Sequence, residues 1–381
     1  MRPTPFQISF GDDLLRDLRE RLARARWPDQ APGAEWQYGT SLAYLKELAS
    51  YWYNEFDWRA QEAKLNRFAH YRVPLAGIDL HFIHEPGIGP KPMPLLLSHG
   101  WPGSIVEFEK IIPLLTNPAA HGGDATDAFT VVAPSLPGYT LSFQPNQQRF
   151  GATEIAAVFA ELMGDVLGYR RYAAQGGDWG SFVTSRLAVD HPEQLCGIHL
   201  NLLGVRRDLT LADIGSDEEK QFLKELQYFL KEETGYQWIM GTKPQTLAFA
   251  LTDSPLGLAS WIVEKFRAWS DCNGDLESVF SKDELLTNIT LYWATGAINS
   301  ASWPYYARSH GPWPIPDGKR VEVPTAYAAF PKEILRPPRS IAERFYNIQR
   351  WTTMNKGGHF AAMEQPQALA EDVRAFFRRF R

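Results

Sequence analysis

Between Pro94 and Leu200, short apolar runs alternate with helical patterns, and this alternation constrains the fold of the chain more than any other feature of its sequence. Pro94 to Leu97 precedes the helical pattern Ile105 to Leu115, Phe129 to Ala133 precedes Ile155 to Leu167, and Tyr172 to Gln175 precedes Ser181 to His191. Cys196 to Leu200 closes the series. Strands that alternate with helices imply a parallel sheet joined by right-handed crossovers. The alternation stops at about Arg206. From there to Gly318 helical, Trp- and Tyr-rich segments take over, and the strand pattern resumes at Val321 to Phe330 and Trp351 to Met354. An amphipathic helix carrying Leu369, Val373, Phe376 and Phe377 follows. Residues 206–318 therefore read as a helical cap inserted into a core formed by 71–205 and 319–381. Pro312-Trp313-Pro314-Ile315-Pro316 is the expected hinge.

Tyr71-Arg72-Val73 and Ile78 to Ile83 alternate in the manner of two half-buried strands and should form an antiparallel edge. Before them Leu14, Leu15, Leu18 and Leu22 recur at helical spacing, and a second helix is expected over Leu42 to Tyr53, so residues 1–70 read as an N-terminal helical extension. The expected architecture is α/β: a mostly parallel eight-stranded sheet flanked by helices, with the cap inserted and the extension in front.

Composition excludes several function classes. At 381 residues the chain can hold one large domain with a sizeable insertion. A formal charge of -5 with scattered Lys and Arg supplies no basic field for phosphate backbones, so nucleic acid is not an expected partner. Cys196 and Cys272 lie far apart without C-x-x-C spacing, and both are expected as reduced thiols in a cytoplasmic protein. Nowhere do eighteen apolar residues follow one another, and the opening MRPTPFQISFGDD has no signal-like apolar run, so no membrane anchor is expected. The 13 Trp, 15 Tyr and 22 Phe suggest an apolar pocket, although aromatic residues are core fillers first.

Gly176-Gly177-Asp178-Trp179-Gly180 follows an apolar strand and opens a helix, which is the setting of a nucleophile elbow. A sharp strand-to-helix turn crowds its neighbours, so the flanking positions must lack side chains. The central residue is Asp, where a plain helix cap is the alternative use. His99-Gly100-Trp101-Pro102-Gly103 follows the strand Pro94 to Leu97, where such folds place a backbone donor of an oxyanion hole, and the N–H of Trp179 would be the second donor. Without that context the segment is a Gly/Pro turn. Gly357-Gly358-His359-Phe360 lies late in the chain, in the order nucleophile, acid, base. Glu333 in Phe330-Pro331-Lys332-Glu333 is the expected acid, with Glu343 and Asp317 as competitors.

At these residues the chain resembles the epoxide hydrolases of the microsomal and juvenile-hormone type. HGWPGS, GGDWGS, the Phe-Pro-x-Glu segment and GGHFAA occur in the family's order, behind a similar N-terminal extension. The resemblance implies an α/β-hydrolase fold with Asp178 as nucleophile, Glu333 as acid and His359 as base. It also implies two cap tyrosines: Tyr236 in Gly235-Tyr236-Gln237, and Tyr305 in Pro304-Tyr305-Tyr306, where the adjacent Tyr306 competes. Trp101, Pro102, Tyr236 and Tyr305 are the expected substrate-binding residues. Microsomal members carry a membrane anchor ahead of this region, so a soluble member is expected here.

These residue types suit epoxide opening. A carboxylate is ionised at neutral pH and attacks without an adjacent base, which leaves His359 for a second step. Ring opening expels an alkoxide that needs a proton, and two tyrosines would supply it. Water activated by His359 then hydrolyses the ester at Asp178, with an acid limb where imidazole ordinarily titrates, roughly pH 6 to 7. The expected partners are a small apolar or aryl epoxide and water, with neither metal nor cofactor. A homodimer is compatible with the sequence. The alternatives weighed are a haloalkane dehalogenase-type hydrolase, which holds halide with Trp or Asn donors, and a non-catalytic ligand-binding relative.

Overall fold

The computed structural model describes residues 2–33, 35–206 and 208–381. Nine strands form one sheet: β1 (Thr4–Phe6), β2 (His70–Leu75), β3 (Ile78–Glu85), β4 (Met93–Ser98), β5 (Phe129–Pro134), β6 (Tyr172–Gly176), β7 (Leu195–Leu200), β8 (Val321–Ala329) and β9 (Tyr346–Thr353). Their order is β1-β2-β3-β5-β4-β6-β7-β8-β9. The first four pair antiparallel, and every pair from β5 to β9 is parallel. The crossover β4 to β5 and the next one to β6 run to opposite sides, so the order reverses at β4, where open α/β sheets form a crevice beyond the carboxyl ends of the strands.

The strand count departs from expectation. All eight expected strands are present, and the ninth, β1, belongs to the N-terminal extension, which is therefore not purely helical. Thr4 pairs with Arg72 and Phe6 with His70, so the extension supplies the sheet's outer edge. A three-residue strand carrying Pro5 is too short for an alternating pattern to show. The extension continues through α1 (Asp12–Ala23), α2 (Leu42–Asn54) and α3 (Trp58–Leu65). Leu18 and Leu22 of α1 and Leu45, Leu48 and Trp52 of α2 are buried, while Asp12 and Asp13 sit in the first turn of α1, where the helix dipole favours them.

Helices α4 (Ile111–Thr116), α5 (Ala152–Glu161) and α6 (Asp178–Asp190) follow β4, β5 and β6. Between β7 and β8 the chain leaves the sheet for α7 (Asp217–Glu232), α8 (Gly235–Thr242), α9 (Pro244–Asp253), α10 (Pro255–Trp269), α11 (Lys282–Thr295) and α12 (Trp303–His310). Their boundaries are chemical: Ser216, Ser254 and Ser281 accept helix N–H groups as caps, and Pro244 and Pro255 stand at first helical positions. Among the described residues no single helix is long and apolar enough to cross a membrane.

Candidate active site

The turn from β6 into α6 raises one carboxylate above the sheet. Gly177 is extended, and Asp178 takes φ +45°, a left-handed conformation that costs an L-residue about 1 to 2 kcal/mol. Packing holds it there. A side chain on Gly180 would overlap the carbonyl oxygen of Ser98 at the end of β4, so only glycine lets the first turn of α6 approach that strand. The result sets Asp178 against the loop after β4. The Trp101 N–H donates to Asp178 Oδ1 at 2.7 Å, and Gly100 has no side chain because one would overlap that same oxygen.

His359 reaches the other oxygen. Its loop after β9 is held by its own N–H donating to the Trp269 carbonyl at 2.8 Å, and by the N–H groups of Gly358 and Phe360 donating to Glu364. The ring Nδ1 lies 2.6 Å from Glu333 Oε1, which also accepts the Ile334 N–H at 2.6 Å. An ionised carboxylate only accepts, so Nδ1 carries the hydrogen and Nε2 faces Asp178 Oδ2 at 3.2 Å. That last approach is close but is not aligned as a hydrogen bond. Burial alone would lower the pKa of His359. Glu333 and Asp178 outweigh it and hold the imidazolium well above the usual histidine range. In the resting site, two carboxylates flanking one buried ring thus favour its charged form.

Aromatic rings cluster around Trp101, whose N–H meets Asp178. The ring of Trp101 stacks on Tyr236 with centroids 5.3 Å apart and meets Tyr305 edge-on at 5.8 Å. Tyr305 also lies edge-on to Trp179 at 4.8 Å and to Tyr236 at 5.6 Å, and burial drives its hydroxyl well above the ordinary tyrosine value. Tyr306 goes elsewhere, stacking on Trp303 and His310 at the half-exposed face of α12. Pro102 is buried in the loop, its carbonyl accepting the Asn288 amide at 2.8 Å. The competing acids also lie away from His359: Glu343 pairs with Arg339, and Asp317, largely exposed, pairs with Arg206.

Residues 3–108 match the family described as epoxide hydrolase N terminus, and residues 93–232 match the alpha/beta hydrolase fold. The chain is 39% identical to epoxide hydrolase 1 of Oryctolagus cuniculus over 98% of its own length and 88% of that protein's. The chain belongs to the epoxide hydrolases. To juvenile hormone epoxide hydrolase 2 of Ctenocephalides felis the enzyme is 37% identical, over 99% of its own length and 85% of that protein's. Its structure is similar to that of Aspergillus niger epoxide hydrolase, with a TM-score of 0.86, 30% identity and coverage of 100% and 97% of the two chains. The juvenile hormone epoxide hydrolase of Bombyx mori gives 0.83 and 31%, with coverage of 99% and 94%.

Several residues of the enzyme's site carry no signal in the sequence. Trp269 at the end of α10 lies 5.0 Å from the His359 ring and 5.4 Å from Tyr236, but nothing sets it apart from the other tryptophans. Burial pushes Glu107, in the turn after the His99–Gly103 loop, up to about 8, and Glu364 up to about 7. Gln237 donates its amide N–H to the Tyr236 oxygen at 2.7 Å. Trp269 meets His359, Glu364 accepts the Asp271 N–H and Gln237 accepts from Arg308, all between distant segments, which no local pattern records.

Proposed function

We propose that this epoxide hydrolase works in two covalent steps at Asp178, beneath a cap formed by the helices between β7 and β8. Asp178 Oδ2 attacks a ring carbon of the epoxide, the carbon–oxygen bond breaks, and its electron pair passes to the oxygen, which takes a proton from Tyr236 or Tyr305. The product of this step is an alkyl ester of Asp178. His359, oriented by Glu333, then removes a proton from water, and the hydroxide attacks the Asp178 carbonyl carbon. The Trp101 and Trp179 N–H groups stabilise the oxyanion, and collapse of the tetrahedral intermediate expels the alkoxide, which takes the proton held by His359 and leaves as a vicinal diol.

The single observation that carries this reading is the division of labour between the two oxygens of Asp178. Oδ1 already accepts the Trp101 N–H at 2.7 Å, which is where the oxyanion of the second step forms, while Oδ2 faces His359 Nε2 at 3.2 Å. A helix-capping aspartate would turn its oxygens to its own helix instead. Neutralising Asp178 by esterification also removes one of the charges that raise His359, so the ring becomes a base when a base is needed. The aromatic cluster of Trp101, Tyr236, Tyr305 and Trp269 supports flat, apolar or aryl epoxides as substrates, since such molecules bury well against aromatic faces.

The test is to trap the ester. In His359→Gln the first step should proceed and the second stop, so intact-protein mass spectrometry after mixing with styrene oxide should show a gain of one whole substrate molecule. Proteolysis should place it on the peptide containing Asp178, and Asp178→Ala should gain nothing. Folded His359→Gln that neither turns over nor gains mass would overturn the two-step mechanism.

A further inference from the structure

Arg308 lies in α12 less than one turn after Tyr305 and is half-buried. Its guanidinium sits over the rings of Trp179 at 5.3 Å, Tyr305 at 5.7 Å and Trp313 at 5.9 Å. Arg308 Nη2 donates to Gln237 Oε1 at 2.9 Å, and Gln237 Nε2 donates to the Tyr236 hydroxyl oxygen at 2.7 Å. A cation on α12 is thereby connected to a phenol on α8 through one amide.

The direction of this chain follows from what each group can do. Arginine only donates, so the Gln237 atom facing it is the carbonyl oxygen, and the atom facing Tyr236 is the amide nitrogen. An amide N–H only donates, so the Tyr236 oxygen is the acceptor and its own hydrogen points away from Gln237. When the Tyr236 proton leaves, negative charge builds on that oxygen. The same N–H then becomes a charge-assisted donor, backed by the guanidinium, and such a bond is stronger to the ion than to the neutral phenol. A contact that strengthens as charge develops lowers the barrier.

We propose that Arg308 and Gln237 are positioning residues that aim the Tyr236 proton into the site and stabilise the phenolate left behind; this rests on Tyr236 being a proton donor in ring opening. The balance is simple. The epoxide oxygen gains the C–O electron pair and the Tyr236 proton, Tyr236 becomes a phenolate held by the Gln237 N–H, and the water consumed in ester hydrolysis restores the proton. Tyr305 lies beside the same cation, its ring 5.7 Å from the guanidinium.

The experiment measures ester formation and ester breakdown separately, by rapid quench and mass spectrometry with styrene oxide. Gln237→Glu keeps the shape but replaces the amide donor with an acceptor that draws the Tyr236 hydrogen out of the site. Alkylation should fall at least about tenfold, the low end for loss of a general acid shared between two donors, while ester hydrolysis keeps its rate. Gln237→Met and Arg308→Met should each slow alkylation, and Arg308→Lys should recover part of the Arg308→Met loss. In a Tyr236→Phe background Gln237→Glu should cost nothing further. If Tyr236→Phe slows alkylation but Gln237→Glu and Arg308→Met do not, the relay is overturned and the donor stands. A Gln237→Glu loss that persists undiminished beside Tyr236→Phe also overturns it, because the residue would then act through packing. If Tyr236→Phe alkylates at the normal rate, the donor reading fails and the relay falls with it. Circular dichroism and the intact hydrolytic step show that each variant is folded.

Discussion

Asp178 Oδ2 lies 3.2 Å from His359 Nε2, within ion-pairing distance but misaligned for a hydrogen bond. Burial works against the imidazolium, and Glu333 and Asp178 together overcome it. Because the folded value is raised, the protonated ring persists to higher pH than an ordinary histidine, and removing a raising charge must lower it. In the resting enzyme nitrogen NMR should find the His359 ring still protonated above pH 7, and Asp178→Asn should shift that titration downward. A wild-type ring already neutral at pH 7 would contradict the coupling. The acid limb of ester hydrolysis should lie below the resting titration, since the ester carries no charge at Asp178.

The tyrosines proposed as proton donors give a second prediction. Tyr236→Phe and Tyr305→Phe remove a hydroxyl and almost no volume, and each should slow alkylation about tenfold because the other donor remains. Together they should cost about 10²- to 10⁴-fold, the range for loss of general acid catalysis. Tyr306→Phe should change nothing, since that ring stacks on Trp303 and His310 instead. Stopped-flow measurement of ester formation decides, and a slow Tyr306→Phe would reassign the second donor.

Glu333 should matter to one half-reaction more than the other. Its carboxylate holds His359 Nδ1 at 2.6 Å, so Glu333→Gln leaves the shape but removes the charge that orients and stabilises the imidazolium. Ester hydrolysis should fall about 10⁴-fold, as when the acid of a serine-hydrolase triad is made an amide, and the ester should accumulate. Glu343→Gln and Asp317→Asn should leave both rates as they are.

The elbow itself can be tested through stability. Gly180→Ala places a methyl group against the Ser98 carbonyl, which is backbone and cannot turn aside. Destabilisation of about 3 kcal/mol, the upper end of ordinary overpacking costs, should appear as a lower midpoint in urea. An unchanged midpoint would mean that the close approach of α6 to β4 is not what shapes the turn.

What was legible in the sequence is what short stretches of chain dictate by themselves. The β/α alternation from Pro94 onward marked the parallel strands because hydrophobic period is a property of a few consecutive residues. The glycines around Asp178 marked the elbow because the steric demand of that turn falls within five positions, and Glu333 and His359 followed from their order after it. The structure brings Glu333 within hydrogen-bonding distance of His359, and His359 within ion-pairing distance of Asp178. The rest depended on distances between residues far apart in the chain. Tyr305 and Tyr306 are equivalent in sequence, yet one step of helix is about 100° of rotation, and only the packing of α12 against α8 and Trp101 decides which ring enters the site. The edge strand β1 exists because His70 to Arg72 offers it a partner. Likewise the charge on His359, and the bond from Arg308 to Gln237, arise from groups that folding alone makes neighbours, since electrostatic interaction depends on separation and burial and not on position along the chain.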